Sequence, residues 1–234
     1  MLTRLKNRLK HIVRGEPSSW RDEVPRAVLY HVPNDQPFCV VDIGAHDGDF
    51  TRAFSSKFNV ARARMVEALP SKAEKLRTEF QPPQYTVVEC AVSDRTGPAN
   101  FEMNEDQASS SLLKIHRHLP ELSAVRLGKS TTLTVQTRTL DDIAIEAGIT
   151  KIDLLKIDVQ GAEAKVLAGA SHILGRTRFV FVEVSFKPLY ENSPSFFDIY
   201  AQMDAAGFGL LEVTPEFRAP NREMIQADGL FFRR

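Results

Sequence analysis

Val40-Val41-Asp42-Ile43-Gly44-Ala45-His46-Asp47-Gly48-Asp49-Phe50-Thr51 decides the fold of this chain. It reads as an apolar strand ending in an acid, a glycine-containing turn, and the start of a helix. A turn built on Gly44 and Gly48 lets a ligand lie against bare backbone, because neither residue carries a side chain to block it. Asp42 sets a negative charge beside that turn. Such a charge repels a phosphate and suits a cationic amino or sulfonium group. The spacing is Asp-x-Gly-x-x-x-Gly, not the Gly-x-Gly-x-x-Gly of a dinucleotide site. The ligand this pattern favours is S-adenosylmethionine, with Asp42, Gly44, Ala45 and Gly48 around it.

From this strand outward, β and α patterns alternate, which predicts a parallel sheet wrapped by helices on both faces. Strands are expected at 38–43, 63–68, 85–92, 152–159 and 178–185, and helices at 49–58, 71–80, 140–147, 162–174 and 195–206. Two β-rich pieces, 99–103 and 131–138, flank a polar segment carrying Ser109, Ser110 and Ser111. The last strands, 209–213 and 229–233, are expected to pair as an antiparallel hairpin at the sheet edge.

Charged residues at the ends of the apolar strands mark the ligand side. Glu67 ends the second strand, where an acid accepts hydrogen bonds from both ribose hydroxyls of a nucleotide. Cys90, Ala91 and Val92 run toward the adenine in such a sheet, and Ser93 or Asp94 is placed to accept from its amine. The run 152–163 has an apolar centre and then Lys156, Asp158 and Glu163 around a glycine turn. If this strand adjoins the first, Asp158 lies beside the Gly44 turn and holds the cofactor or the acceptor hydroxyl. Glu183 interrupts an apolar strand near its end. A buried carboxylate needs a partner, so it either meets a group such as Lys156 or lines the cleft. His46, in the first loop, has the pKa range of a general base.

Composition narrows the alternatives. Thirty basic residues balance thirty acidic ones, so no overall field draws the chain to nucleic acid or membrane. No Asn/Asp-Pro-Pro-Tyr/Phe signature for a flipped base is present. The histidines show no ligand spacing with Cys or Glu for zinc, and Cys39 and Cys90 read as reduced core residues. No stretch is apolar enough to span a bilayer and no signal-peptide core follows Met1, so the expected location is cytoplasmic. Residues 2–14 repeat Leu2, Leu5, Leu9, Ile12 and Val13 at helical spacing among Arg4, Lys6, Arg8, Lys10 and Arg14. This basic amphipathic helix caps the domain, or docks on an anionic membrane surface or an acidic partner. With a proline-containing connector it makes up residues 1–37, and the main domain is expected over 38–234.

Taken together, these motifs resemble the FkbM-type methyltransferases. The match rests on residues 41–48, Val66-Glu67-Ala68, Ala91-Val92-Ser93-Asp94, the serines before Leu112, Leu140-Asp141-Asp142, residues 155–163 and Phe181-Val182-Glu183. The resemblance implies a seven-stranded, doubly wound, Rossmann-like α/β sheet with one antiparallel strand. It also implies S-adenosylmethionine-dependent O-methylation, often of sugars or natural products in polysaccharide or antibiotic pathways. Asp42, Gly44 and Glu67 would contact cofactor, and Asp158 would be a cofactor or catalytic residue. Many members carry an acid where this chain has Gln160, which leaves a smaller negative field there.

The expected chemistry is in-line attack of an acceptor oxygen on the sulfonium methyl, with Asp158, then His46, then Glu183 as candidate base. Asp158 and Glu183 are also a candidate pair for a magnesium ion. Segments 105–130 and 187–195 are expected to shape a pocket for a sugar or small-molecule hydroxyl, with Phe186, Tyr190 and Phe196 either stacking on a ring or packing the next helix. The rival readings are an NAD-linked oxidoreductase and a noncatalytic binding protein on the same fold.

Overall fold

The computed structural model describes residues 27–28, 31–32, 36–117, 119, 128–219 and 221–234; the basic segment 2–14 lies outside them. A seven-stranded sheet runs through the molecule in the order β3-β2-β1-β7-β8-β10-β9. Its strands are β1 (Phe38–Ile43), β2 (Val60–Glu67), β3 (Tyr85–Glu89), β7 (Ile152–Ile157), β8 (Thr177–Ser185), β9 (Phe208–Arg218) and β10 (Met224–Arg233). The first five are parallel, and β10 pairs antiparallel with both β8 and β9. The expected edge hairpin is present and runs longer at both strands than the sequence indicates.

Alternation along the central strands builds two core layers, because successive side chains leave opposite faces of a sheet. Val41, Ile43, Leu155, Ile157, Val180 and Val182 face one layer. Phe38, Val40, Leu154, Phe179 and Phe181 face the other, where Phe54 and Phe58 stack and Val28 and Val32 of the N-terminal connector are buried. Covering both faces explains why β1, β7 and β8 read as near-continuous apolar runs. The helices are α1 (Asp49–Ser55), α2 (Pro70–Glu79), α3 (Leu140–Glu146), α4 (Glu163–Ala168), α5 (Ser171–Leu174) and α6 (Phe196–Ala205).

Two expected elements divide. The strand expected over 85–92 leaves the large sheet at Cys90, and β4 (Ala91–Val92) pairs instead with β6 (Ser130–Arg138). Together with β5 (Gly97–Asn104), antiparallel to β6, these form a second sheet of three strands. Phe101, Val135, Ala91 and Leu69 bury the seam between the two sheets. The helix expected over 162–174 breaks at Gly169. There a Cβ would come within 2.1 Å of the Ser93 carbonyl oxygen. The second piece, α5, is capped by Asp141, whose carboxylate accepts from the His172 and Ile173 N–H groups at 3.0 and 2.9 Å. Cys39 and Cys90 are both free thiols, and burial pushes Cys90 up to about 11.

Strand order reverses between β1 and β7. Ligands of open α/β sheets bind beyond the carboxyl ends of the strands at such a switch point. Gly44 and Asp158 follow those two strands directly.

Candidate active site

The loop after β1 carries three residues with left-handed backbone: Gly44 at φ 76°, His46 at 50° and Gly48 at 78°. The first of them lies hard against the end of β7, where Asp158 N donates to the Ile43 carbonyl at 3.1 Å. Lys156 straps the two strand ends together. Its Nζ donates to the Gly44 carbonyl at 3.1 Å, and lies 3.4 Å from Asp42 Oδ1 and 3.5 Å from Asp158 Oδ2. Asp42 is completely buried and also accepts from Thr51 Oγ1 at 2.7 Å. Asp42 therefore supports the turn from beneath, and of the two acids beside Lys156 it is Asp158 that lines the cleft.

Glu67 ends β2 beside the same turn. One carboxylate oxygen accepts from His46 N and the other from Leu69 N, each at 2.8 Å. Burial pushes its carboxyl above the ordinary range, against the pull of those two N–H groups. The turn is tied sideways to α2 through Asp47, which bonds Lys75 at 2.8 Å and Lys72 at 2.9 Å. Burial opposes ionisation of Asp47, yet the lysine bonds win and hold it at about 2.

One cleft collects these groups. Gly44, His46, Glu67, Ala68 and Asp158 line its polar side. Cys90, Ala91, Val92, Phe101 and Leu112 line an apolar side supplied by the second sheet and the loop after it, with Gln107, Ala108, Ser110 and Gln160 at the margin. The sequence thus brings Gly44, His46, Glu67 and Asp158 to one place. Asp42, Ala45, Gly48, Ser93 and Glu183 do not line it. Ala45 packs with Met65, Leu76 and Phe80, and Gly48 abuts the Phe80 and Leu76 side chains. Ser93 donates its hydroxyl to Asp94 at 2.9 Å.

Glu183 does not line the cleft; of the two outcomes expected for it, a buried carboxylate with a partner is the one found, and the partners are amides. It lies behind Gln160, accepting from Gln160 Nε2 and from Gln226 Nε2 at 3.1 Å. The same Gln160 amide donates to Asp158 at 2.6 Å. The space between the two carboxylates is thus filled by a hydrogen-bond donor, which does not fit a shared magnesium ion. Among the described residues, no three His, Cys, Asp or Glu side chains are grouped to hold a metal.

The serine segment, read from sequence as a polar stretch, buttresses the cleft. Ser111 donates to the Val159 carbonyl at 3.2 Å, Ser110 Oγ accepts from Asn104 N at 3.0 Å, and the Ser109 carbonyl lies 3.1 Å from the Tyr190 hydroxyl. Tyr190 is buried and so cannot stack on a ring; Phe186 and Phe196 stack on each other, with centroids 5.0 Å apart. Glu163 Oε1 accepts from Val159 N and Gly161 N, closing the turn that presents Asp158 and Gln160.

A buried acid at the end of β2, a bare turn after β1 and an apolar slot between them form one cleft at the switch point of a doubly wound sheet, where such folds bind their ligands. Residues 42–210 match the methyltransferase FkbM domain, and the chain belongs to that family. It is 34% identical over 201 residues to the 2-O-methyltransferase NoeI of Sinorhizobium fredii, covering 82% of this chain and 81% of that relative. It is similar to the crystal structure of methyltransferase FkbM from Methylobacillus flagellatus KT, with a TM-score of 0.57 and 16% identity over 95% of this chain. The chain spans about half of that protein, 49% of its length, and the likeness shows the fold. Family membership decides for a methyltransferase over the oxidoreductase and noncatalytic readings. Among the described residues no helix is long and apolar enough to cross a membrane.

Proposed function

We propose that this methyltransferase uses S-adenosylmethionine to methylate a hydroxyl of a sugar or another small molecule. The observation that carries the reading is the bare Gly44 turn and the buried Glu67 carboxylate sharing one cleft at the β1–β7 switch point. The name of the relative NoeI, a 2-O-methyltransferase, supports oxygen as the accepting atom. In this reading Glu67 accepts from the ribose hydroxyls. The slot formed by Cys90, Ala91, Val92, Phe101 and Leu112 takes the adenine, and Gly44 and Asp158 border the methionine portion.

S-adenosylmethionine supplies a methyl carbon made electrophilic by the adjoining sulfonium charge. The protein's work is then to align the acceptor oxygen and keep water out. Asp158 takes the acceptor proton in this reading, which its position in the cleft lining at the switch point supports. His46 ranks second: it borders the cleft, with Nδ1 3.3 Å from the Asp47 carboxylate. Glu183 ranks third, since it stands behind Gln160 and does not line the cleft. Segments 105–130 and 187–195 are assigned to acceptor recognition. Residues 2–14 cap the domain in this reading, or contact a membrane surface or acidic partner, outside the catalytic domain of residues 38–234 of a cytoplasmic protein.

Calorimetric titration with S-adenosylmethionine, S-adenosylhomocysteine and NAD tests this reading. Saturable binding of the first two, lost in Glu67→Ala, is expected, followed by turnover in a screen of sugar acceptors. Binding of NAD alone overturns it.

A further inference from the structure

Asp158, just after β7, and Glu183, near the end of β8, are both bonded by one amide. Gln160 Nε2 lies 2.6 Å from Asp158 Oδ1, and 3.2 and 3.0 Å from Glu183 Oε1 and Oε2. Its Oε1 lies 2.8 Å from the Tyr190 hydroxyl. An amide has two N–H donors and one carbonyl acceptor. Facing two acids and a phenol, it satisfies all three in one orientation only, nitrogen toward the acids and oxygen toward the phenol. The phenol carries one proton, and the Gln160 oxygen at 2.8 Å is nearer to it than the Ser109 carbonyl at 3.1 Å.

The backbone is shaped to present this amide. Gln160 stands at φ 59°, a left-handed conformation disfavoured outside glycine, and Gly161 follows, where an added Cβ would crowd Tyr190 and Ser193. The other charged or titratable groups around the pair are Lys156 on β7, Glu163 at the head of α4, and Asp228, opposite Glu183 on β10. Asp106 acts on Tyr190 from the serine loop, and His46 lies across the cleft.

We propose that Gln160 is a positioning residue that keeps Asp158 and Glu183 ionised side by side, with Asp158 ready to receive a proton. The last clause rests on reading Asp158 as the base. Two carboxylates grouped around one point repel, and such pairs ordinarily take up a proton between them. Here the two N–H groups of Gln160 take that place without adding charge. A glutamate at position 160 replaces both donors with a third carboxylate, and one of the three acids must then hold a proton.

The test follows side-chain carboxyl carbons by NMR during pH titration of the whole protein, with the Asp158 signal assigned by its loss in Asp158→Asn. In Gln160→Glu the Asp158 midpoint moves up by at least one pH unit from wild type. In Gln160→Met, neutral but without donors, it moves up by a smaller amount, and Tyr190→Phe moves it in the same direction. S-adenosylhomocysteine, titrated by calorimetry, reports that each variant keeps its fold and cleft. Should Gln160→Glu fail to fold, Gln160→Met decides alone. A midpoint unchanged from wild type in a folded variant overturns the proposal. The base reading fails separately, if Asp158→Asn transfers methyl groups at the wild-type rate; the titration still decides the role of Gln160.

Discussion

Gly44 and Asp158 meet backbone to backbone, so closely that a Cβ on Gly44 would lie 1.9 Å from the Asp158 carbonyl oxygen. No rotamer change relieves that contact, because the obstacle is main chain at the end of a central strand. Gly44→Ala must therefore push β1 and β7 apart or distort the turn. It is expected to cost on the order of 3 kcal/mol and to abolish S-adenosylhomocysteine binding. Gly148→Ala is the matched control: φ is 62° there too, but nothing lies within 4 Å of the added methyl. It should cost only about 1 kcal/mol of backbone strain. Thermal melts and calorimetry on the two variants check both statements.

Glu67 accepts one N–H on each carboxylate oxygen, from His46 and from Leu69. Glu67→Gln preserves size but turns one acceptor into a donor, which then faces an N–H group. The loop carrying His46 or the start of α2 must shift, and one acceptor for the ribose disappears. Affinity for S-adenosylhomocysteine is expected to fall about 10- to 100-fold, the range for an unpaired buried polar group. Affinity within threefold of wild type would remove Glu67 from the cofactor site.

The parts of the site that were legible from sequence are those where local pattern and chemistry coincide. An apolar run ending in a charged residue placed Glu67 and Asp158 at strand ends, and the Gly44 turn announced itself by composition. The division at Cys90 was not legible, because residues 85–92 carry continuous strand propensity. The break exists because Ala91 and Val92 pair with Thr137 and Arg138, a long-range choice no local pattern records. Gln160 was legible only as a neutral residue among acids. Its function depends on a left-handed backbone and on Tyr190, thirty residues further along the chain. Within the motif itself, Ala45 and Gly48 answer to Leu76 and Phe80 of the neighbouring helix region, not to the cleft.

Lys156 is the only cation within 4 Å of Asp42 among the described residues, at 3.4 Å, and both side chains are buried. Lys156→Met leaves a carboxylate in the core with only the Thr51 hydroxyl bonded to it. Removing one partner of such a pair ordinarily costs about 3–5 kcal/mol. Asp42→Asn in the same chain removes the stranded charge, so the double variant should recover at least half of the loss. Urea unfolding of the two single variants and the double variant measures the coupling. Additive losses would show that Lys156 acts on the Gly44 carbonyl and Asp158 and not on Asp42.

Glu163 gives the fold a pH dependence of its own. Burial pushes its carboxyl up to about 7, with Asp158 adding to the rise, against bonds from backbone N–H groups that include Gly161 and Val159. In the unfolded chain a glutamate titrates near 4.3. Between those values the native state holds a proton that the unfolded state has lost, so stability falls as pH rises. The contribution is complete below about pH 4, declines through the interval, and is gone above about pH 7, a loss on the order of 3 kcal/mol. Glu163→Gln keeps an oxygen for Val159 and Gly161 and has no proton to lose. Its unfolding free energy should therefore decline less than wild type between pH 5 and pH 8, measured by urea denaturation at each pH. Parallel curves for the two proteins would mean that Glu163 is already ionised at pH 5.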